Sequence, residues 1–294
     1  EIVRGKILKI NCKVPKQKIA SYELVRKMRA SFLVLGPLLT RYGNAKVSLP
    51  GGCAIGARPI DIHLFGLEKM GVKFEFKSGY VIGKSKNGLK GSKIKLPIIS
   101  VGATENLIMA ATLAEGITEI INAALEPEVS DLCLFLNKLG ANITGIGTNH
   151  LTIKGRSSLK GGKYKVMSDR IEAGTFALSV LGLGGCLKMN GINEEIKNHF
   201  IKIFFKLKQL SFIYEKNKEC LIVKSLDNFY SSVNISTAVY PGFPTDLQAQ
   251  LIAVMTKAKG TSKIKETIFE NRFMHVQELA RMGADISLNG SVAS

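Results

Sequence analysis

The sequence predicts an α/β fold of repeated units whose helices lie inside and whose sheets lie outside, an inside-out α/β barrel. Three observations lead to this prediction. A short helix-ending pattern recurs at Gly71, Gly140, Ser211 and Gly283, at intervals of 69, 71 and 72 residues. Around each copy the same order of helices and strands is predicted. The first helix of each copy is apolar almost all round, which is typical of a buried helix, whereas the strands alternate apolar and polar residues.

Each copy is predicted to hold a helix, a strand, a second helix and a hairpin, and the preceding strand completes a βαβαββ unit. The apolar helices end at or near glycines and are expected at 28–42, 104–115, 171–183 and 245–259. The strands that follow are expected at 45–49, 117–121, 186–190 and 262–269. The second helices are amphipathic, and the hairpin at 72–84 turns at Ser78 and Gly79. Because the internal helices begin together at one end of each domain, we expect an anion site there.

The bulk properties predict a globular protein of two domains. The chain has 294 residues, of which 46% are hydrophobic, enough to fill two cores. No apolar stretch reaches the length needed to span a membrane, and the first residues do not resemble a signal peptide, so we expect a cytoplasmic protein without membrane contact. The five cysteines show neither paired spacing nor histidine partners. We therefore expect no disulfide framework, no metal and no cofactor.

The net charge of +18 raises the question of nucleic-acid binding. The lysines are scattered through hairpins and along the exposed side of the helix predicted at 196–210, and no nucleic-acid-binding motif is present. We therefore expect no nucleic-acid partner. Anionic small substrates remain compatible with this charge.

The segment 48–61 is the most informative part of the sequence. A predicted strand leads into a loop with three glycines that carries Cys53 and Arg58. Glycines allow large backbone excursions, and a nearby guanidinium lowers the pKa of a thiol, so Cys53 is a candidate nucleophile or acid. The alternative is a small buried cysteine beside a turn. The other four cysteines lack such surroundings and are interpreted as inert.

Charged residues also lie where helices of the repeated units begin. Asp246 lies in the first turn of an apolar helix, with Thr245 as its expected N-cap, and a carboxylate there is either catalytic or a partner of the helix dipole. Arg170 and Arg29 hold comparable places in their own copies. His63 is a lone histidine on a second helix and is interpreted as structural.

Six short motifs together resemble the UDP-N-acetylglucosamine 1-carboxyvinyltransferase family, and they follow the family's order along the whole chain. They are Leu-Pro-Gly-Gly-Cys at 49–53, Gly-Ala-Arg-Pro at 56–59, Ser-Val-Gly-Ala-Thr at 100–104, Asp-Arg-Ile-Glu at 169–172, Phe-Pro-Thr-Asp at 243–246 and Phe-Glu-Asn-Arg-Phe-Met-His at 269–275. The sister enolpyruvylshikimate-phosphate synthases are similar in fold but lack the Pro-Gly-Gly-Cys loop and the last motif.

The resemblance implies transfer of the enolpyruvyl group of phosphoenolpyruvate to the 3′-hydroxyl of UDP-N-acetylglucosamine, with release of phosphate. This reaction is the first committed step of peptidoglycan synthesis. In the family the cysteine that matches Cys53 donates a proton to the methylene carbon of phosphoenolpyruvate and is alkylated by fosfomycin. The aspartate that matches Asp246 is the general base at the sugar hydroxyl. Each such group typically contributes about 10²–10⁴-fold to the rate.

The resemblance also implies the substrate-binding residues. Arginines hold the phosphate-bearing substrates, residues 59–62 frame the uracil, residues 98–102 line the diphosphate and uridine, and one further residue touches the sugar nucleotide. The set is Arg29, Arg58, Pro59, Ile60, Asp61, Ile62, Ile98, Ser100, Val101, Gly102, Arg170 and Ile268. The family commonly has a lysine at the position of Ile98, so the charge contact to the diphosphate is either missing or supplied by Lys95.

The chain departs from the family in length. The family's first Lys-Asn pair and its later Asp-Leu-Arg stretch have no counterpart here, and we expect one repeat to be missing from the second domain, leaving apolar surface exposed. The domains are expected at 1–166 and 167–294. Two alternatives follow: a truncated fragment that binds the UDP-sugar without turnover, and the sister enolpyruvylshikimate-phosphate synthase. The oligomeric state is not indicated by the sequence.

Overall fold

A computed structural model describes residues 2–3, 7–12, 14–15, 17–49, 60–227 and 229–294. The loop at 50–59, with the predicted site residues Cys53, Arg58 and Pro59, lies outside the described residues. The side chain of Arg29 also lies outside them, although its backbone is described. A two-stranded hairpin, β1 (Ile2–Val3) and β2 (Ile7–Leu8), precedes the repeated part of the chain.

The first two repeats follow the predicted order of elements. The first comprises β3 (Ile19–Ala20), α1 (Tyr22–Val25), a 3₁₀ helix (Arg29–Val34), α2 (Leu35–Tyr42), β4 (Asn44–Ser48), α3 (Asp61–Lys69), β5 (Lys73–Lys77) and β6 (Tyr80–Lys84). The second comprises β7 (Lys93–Lys95), α4 (Val101–Ala111), β8 (Ile117–Ile121), α5 (Pro127–Lys138), β9 (Asn142–Thr144) and β10 (His150–Lys154).

The last two repeats follow the same order with local changes. The third comprises α6 (Arg170–Leu183), β11 (Cys186–Asn190), α7 (Glu194–Ile203), β12 (Leu210–Glu215), a 3₁₀ turn (Lys216–Lys218) and β13 (Cys220–Ser225). The fourth comprises β14 (Asn234–Ser236), a 3₁₀ turn (Thr245–Leu247), α8 (Gln248–Met255), β15 (Lys263–Lys265), α9 (Met274–Arg281), β16 (Leu288–Asn289) and β17 (Val292–Ala293).

The sheets share one topology. In three repeats the spatial order is first, second, fourth and third strand, as in β7-β8-β10-β9, and the first pair is parallel while the others are antiparallel. A parallel pair requires a crossover, which the first helix of each repeat provides. The third repeat forms only the three-stranded sheet β11-β13-β12 among the described residues. Within the described ranges the βαβαββ unit is thus observed three times, and once without its first strand.

Two hydrophobic clusters divide the chain. One runs from Ala20 to Ile153 and the other from Ala173 to Ala293. In the first cluster α4 is the central helix: it packs against α2, α3 and α5, and its Leu107 and Ile108 are fully buried. In the second cluster α6 packs against α8. Several large apolar side chains of the second half are exposed, among them Phe176, Leu183, Phe205 and Phe229.

Three of the predicted first helices begin or end at other residues than predicted. The helix expected at 28–42 begins as a 3₁₀ helix and becomes α-helical at Leu35, because the Gly36 N–H donates to Asn106 Oδ1 (2.7 Å) and Pro37 has no N–H. The helix expected at 104–115 begins earlier, since the Ser100 hydroxyl accepts from the Ala103 N–H (3.3 Å) and caps it. The helix expected at 245–259 is a 3₁₀ turn followed by a short α-helix that ends at Met255.

The strand predicted at 262–269 is too long, whereas the hairpin predicted at 72–84 is present as β5 and β6. The strand expected at 262–269 is confined to β15, because the chain turns at Glu266, whose carboxylate accepts the N–H groups of the next residues. In the hairpin expected at 72–84, Val72 is buried but Phe76 is 61% exposed, so the apolar alternation does not continue to the tip. The turn at Ser78 and Gly79 is confirmed, with positive φ at both residues. Within the described residues, no helix has the length and apolar character needed to cross a membrane.

Candidate functional site

Asp246 lies at the start of the fourth repeat's internal helix, on the 3₁₀ turn before α8. Its side chain is 52% exposed, and Oδ1 accepts a hydrogen bond of 2.5 Å from Nη2 of Arg272, whose own side chain is only 19% exposed. Nη1 of Arg272 is buried and has no hydrogen-bond partner in the described part of the chain. The arrangement is a reachable carboxylate held by a mostly buried guanidinium.

The loop before α9 supports this ion pair. The guanidinium carbon of Arg272 lies 5.2 Å from the centre of the Phe269 ring, which adds a cation–π contact. His275 follows in α9, and burial together with the positive charge of Arg272 lowers its pKa. A neutral imidazole therefore accompanies Arg272 at neutral pH, and the positive charge beside Asp246 comes from the guanidinium.

The expected N-cap at Thr245 is wrong. Pro244 holds the cap position, and the Thr245 hydroxyl donates instead to Glu266 Oε2 at 2.8 Å. The other carboxylate oxygen of Glu266 accepts from the Thr237 hydroxyl (2.9 Å) and from the Ile268 N–H (2.7 Å). Glu266 is 3% exposed, so a buried carboxylate joins the turn of Asp246 to the loop that carries Ile268.

The predicted diphosphate segment lies at the N-terminus of α4. The Ser100 hydroxyl caps this helix, Val101 is partly buried in its first turn, and Gly102 lies against His63. A Cβ at Gly102 would stand 3.3 Å from the imidazole Cε1, so the glycine permits this close approach. His63 is buried, contacts Asn106 through Nδ1 (3.0 Å) and meets the Phe32 ring edge to face, in agreement with a structural role.

The remaining residues predicted to contact the nucleotide differ in exposure. Asp61 is exposed in the first turn of α3, and Ile60 is partly buried just before it. Ile62 is only 5% exposed, so in this conformation its side chain belongs to the core. Ile98 is 57% exposed, in the segment between β7 and α4. Lys95, at the end of β7, is also exposed.

Arg170 is buried where the two hydrophobic clusters meet. Its Nε donates to both carboxylate oxygens of Glu128 in α5, at 3.1 and 3.2 Å, and its guanidinium carbon lies 5.8 Å from the Tyr240 ring centre. The His199 ring also contacts the Tyr240 ring, with the two ring centroids 4.8 Å apart. Burial, with Arg170 and Lys202 nearby, lowers the pKa of His199 to about 4. Arg170 thus links the second repeat to the loop that leads to Asp246.

Glu105 in α4 is a titratable group that the sequence did not single out. Burial, followed by the negative charges of Glu128 and Glu126, raises its pKa to about 7. Strongly shifted carboxyl groups often mark functional sites, because burial and like charges are what tune a catalytic acid or base. Glu105 lies in the helix that begins with the predicted diphosphate segment, and the negative charge of Glu128, the partner of Arg170, contributes to its raised pKa.

The described cysteines fall into two classes. Cys133 and Cys220 are buried, and burial raises the pKa of the Cys133 thiol to about 12. Cys12 and Cys186 are exposed. Among the residues that the structure describes, no group of His, Cys, Asp and Glu side chains could hold a metal ion.

Two residues of the site were missed by sequence reasoning. Arg272 stood within a recognised motif at 269–275 but was not selected, and it pairs with Asp246, the predicted base. Glu266 had no local signal, because its partners are as far as 29 positions away in sequence. Only the folded chain brings these groups together.

Comparison with known proteins identifies the relationship. The family model described as EPSP synthase (3-phosphoshikimate 1-carboxyvinyltransferase) matches residues 4–292. A protein from Caldanaerobacter subterraneus subsp. tengcongensis named UDP-N-acetylglucosamine 1-carboxyvinyltransferase 1 is 52% identical over all of this chain and 69% of its own length. A UDP-N-acetylglucosamine 1-carboxyvinyltransferase from Campylobacter fetus is 52% identical over 94% of this chain and 65% of its own. The chain thus spans about two thirds of the length of the curated relatives it matches.

Solved structures agree on the fold. The enolpyruvyl transferase NikO from Streptomyces tendae superposes with a TM-score of 0.79 at 21% identity, over 94% of this chain and 65% of its own. EPSP synthase from Acinetobacter baumannii gives a TM-score of 0.64 at 18% identity, over 96% of this chain and 65% of its own. The mixed α/β fold predicted from the sequence is therefore that of the EPSP synthases.

Proposed function

Because the chain belongs to the EPSP synthase family of enolpyruvyl transferases, we propose that the protein transfers the enolpyruvyl group of phosphoenolpyruvate to the 3′-hydroxyl of UDP-N-acetylglucosamine. Phosphate is the second product. The choice of acceptor rests on the relatives: those named for UDP-N-acetylglucosamine are 49% to 52% identical, whereas EPSP synthase structures are 17% and 18% identical. The reaction is the first committed step of peptidoglycan synthesis and takes place in the cytoplasm.

The observation that carries the proposal is the geometry of Asp246 within its motif. The carboxylate is half exposed at the start of an internal helix, and Arg272 fixes one of its oxygens. A base must be reachable by the proton that it accepts and must hold one orientation. The Arg272 guanidinium also places a positive charge beside Asp246, which favours an anionic substrate.

The chemistry uses one acid and one base. Asp246 accepts the proton of the sugar hydroxyl while the hydroxyl oxygen attacks C2 of phosphoenolpyruvate, and the Cys53 thiol gives its proton to the methylene carbon C3. The product of this step is a tetrahedral ketal that still carries phosphate. Loss of phosphate, with return of a proton from C3 to the Cys53 thiolate, forms the enol ether, and the proton on Asp246 leaves with the phosphate. Charge develops at both ends of the same double bond, so the acid and the base lower one barrier.

The substrates are held by the segments that the resemblance indicates. Arg29 and Arg58 bind the phosphate-bearing groups, residues 59–62 frame the uracil, residues 98–102 line the diphosphate and Ile268 contacts the sugar. The capped N-terminus of α4 offers backbone N–H groups and a favourable dipole for the diphosphate. Arg170 adds positive charge close to the loop of Asp246.

The architecture proposed for this activity is the inside-out barrel with domains at 1–166 and 167–294. The two hydrophobic clusters, which end at Ile153 and begin again at Ala173, support the division. The buried position of α4 among α2, α3 and α5 supports helices on the inside. The proposed substrate site then lies between the two domains.

Fosfomycin labelling tests the proposal. The protein is incubated with fosfomycin, with and without UDP-N-acetylglucosamine, and labelled peptides are mapped by mass spectrometry. We expect labelling at Cys53, promoted by the sugar nucleotide, and none at the exposed Cys12 and Cys186. Equal labelling of all exposed thiols would contradict a tuned Cys53. Labelling promoted by shikimate 3-phosphate instead would assign the sister activity.

A further inference from the structure

Glu266 has surroundings that its place in the sequence does not explain. It follows β15, is 3% exposed, and accepts four hydrogen bonds. Oε1 accepts from the Thr237 hydroxyl (2.9 Å), the Ile268 N–H (2.7 Å) and the Phe269 N–H (3.2 Å), and Oε2 accepts from the Thr245 hydroxyl (2.8 Å). A buried carboxylate is unfavourable unless donors surround it, and here they do.

The four donors come from three separate segments. Thr237 follows β14, Thr245 precedes Asp246, and the two backbone N–H groups belong to the loop that leads to Arg272. Thr237 also accepts the Thr267 N–H at 2.9 Å, which closes the network. One carboxylate therefore ties the turn of the base to the loop that carries Ile268 and Arg272.

We propose that Glu266 is a positioning residue that sets Asp246 and Ile268 in their catalytic register through the Thr245 hydroxyl and the loop amides. The inference rests on the proposed function, because it concerns the same site. Glu266 does not touch the reacting atoms. It acts by fixing the two segments that do, and a shift of about 1 Å in such a group can lower a rate by roughly a hundredfold.

The two carboxylate oxygens of Glu266 have different kinds of hydrogen-bond donor. Replacement of Glu266 by glutamine and by leucine should therefore give different results. Two of the donors at Oε1 are backbone N–H groups, which can only donate. The single partner at Oε2 is a hydroxyl, which can also accept. In E266Q the amide oxygen can take the place of Oε1 while the amide nitrogen donates to Thr245, so the network survives. In E266L all four donors lose their acceptor.

A second pair of variants tests the hydrogen bond between Thr245 and Glu266 by itself. T245V removes the hydroxyl but keeps the shape of the side chain, and T245S keeps the hydroxyl. Thr256 offers the matched control: its hydroxyl donates only to the Ala253 carbonyl (2.7 Å) at the exposed end of α8, so T256V makes the same chemical change away from the site.

The experiment combines hydrogen exchange with steady-state kinetics on the protein and these variants. For E266L we expect faster amide exchange at Ile268 and Phe269 and a kcat lower by about ten- to a hundredfold, with E266Q close to wild type. For T245V we expect kcat to fall by about tenfold with an unchanged KM for phosphoenolpyruvate, because only the turn of the base is loosened. T245S restores kcat, and T256V equals wild type.

Two results would overturn the inference. One is a folded E266L or T245V with the kcat of wild type; the other is E266Q falling as far as E266L, which would mean that the charge matters and not the acceptor geometry. If E266L does not fold, T245V decides the question alone. If the wild-type protein shows no turnover while the exchange results hold, the proposed function fails and the Glu266 network stands as a structural feature.

Discussion

Replacement of Glu105 by glutamine tests the electrostatics around α4. The pKa of Glu105 is raised from 4.5 to about 7 by burial and by the charges of Glu128 and Glu126. The folded state therefore binds a proton that the unfolded state releases between about pH 4.5 and 7. A raised pKa stabilises the fold fully below the unfolded value, and this contribution is lost as pH rises through the folded value.

The magnitude follows from the shift. At about 1.4 kcal/mol per pKa unit, a shift of this size corresponds to about 3 kcal/mol, and partial solvent contact reduces it to about 2–3 kcal/mol. Glutamine mimics the protonated carboxyl group and does not titrate, so E105Q does not lose this stability as the pH rises. We expect E105Q to exceed the wild type in unfolding free energy by about 2–3 kcal/mol at about pH 8 and by under about 1 kcal/mol at about pH 5.

Urea denaturation of both proteins at the two pH values measures the difference. The control is E68Q, which makes the same change at an exposed position of α3 and should show no such pH dependence. A stabilisation by E105Q that is equal at both pH values would refute the electrostatic explanation. Destabilisation at the higher pH would mean instead that ionised Glu105 makes favourable contacts.

Three further predictions concern the base, the packing and the thiols. D246N should lower kcat by about 10²–10⁴-fold in an assay of phosphate release, and an unchanged kcat would remove Asp246 from the mechanism. G66A places a Cβ 2.5 Å from an α4 leucine and should lower the unfolding free energy by about 1–3 kcal/mol, whereas G161A, with no atom within 4 Å, should be near neutral in the same urea titration. Native Cys133 should resist alkylation by iodoacetamide while Cys186 reacts, since burial raises the pKa of the Cys133 thiol to about 12; comparable rates would show that the core opens readily.

The repeat was predictable because it rests on local requirements that recur. Gly71, Gly140 and Gly283 follow the second helices of their repeats with φ of 93°, 100° and 94°, a conformation that favours glycine, so the same residue returned at each copy. The degenerate copy at Ser211 differs, because this residue lies inside β12 and not at the end of a helix. The spacing was thus a sound guide to the order of elements, but not to each boundary.

The hydrogen bonds within the site could not be predicted from local rules. Thr245 has the sequence signature of an N-cap, yet its hydroxyl donates to a carboxylate 21 positions away. The Gly36 N–H likewise donates to Asn106 Oδ1, 70 positions away, where a continuous helix was expected. Capping rules describe what a segment does by itself, and a buried polar side chain from a distant part of the chain can compete successfully.

The identity of the site residues came from the motifs and not from periodicity. By its position alone, Asp246 was better explained as a dipole partner of its helix, and its exposed carboxylate beside Arg272 is compatible with the proposed role as base. The side chain of Ile62 is only 5% exposed, and its place in the frame of the uracil stays a prediction. The structure thus gives the exposure of each predicted site residue, and the roles of these residues stay predictions.

The central claim is enolpyruvyl transfer to UDP-N-acetylglucosamine, and product analysis tests it most directly. The protein is mixed with phosphoenolpyruvate and either UDP-N-acetylglucosamine or shikimate 3-phosphate, and both phosphate release and the mass of the acceptor are followed. We predict phosphate release only with UDP-N-acetylglucosamine, matched one to one by its enolpyruvyl ether. Product from shikimate 3-phosphate, or tight binding of UDP-N-acetylglucosamine without any phosphate release, would contradict the claim.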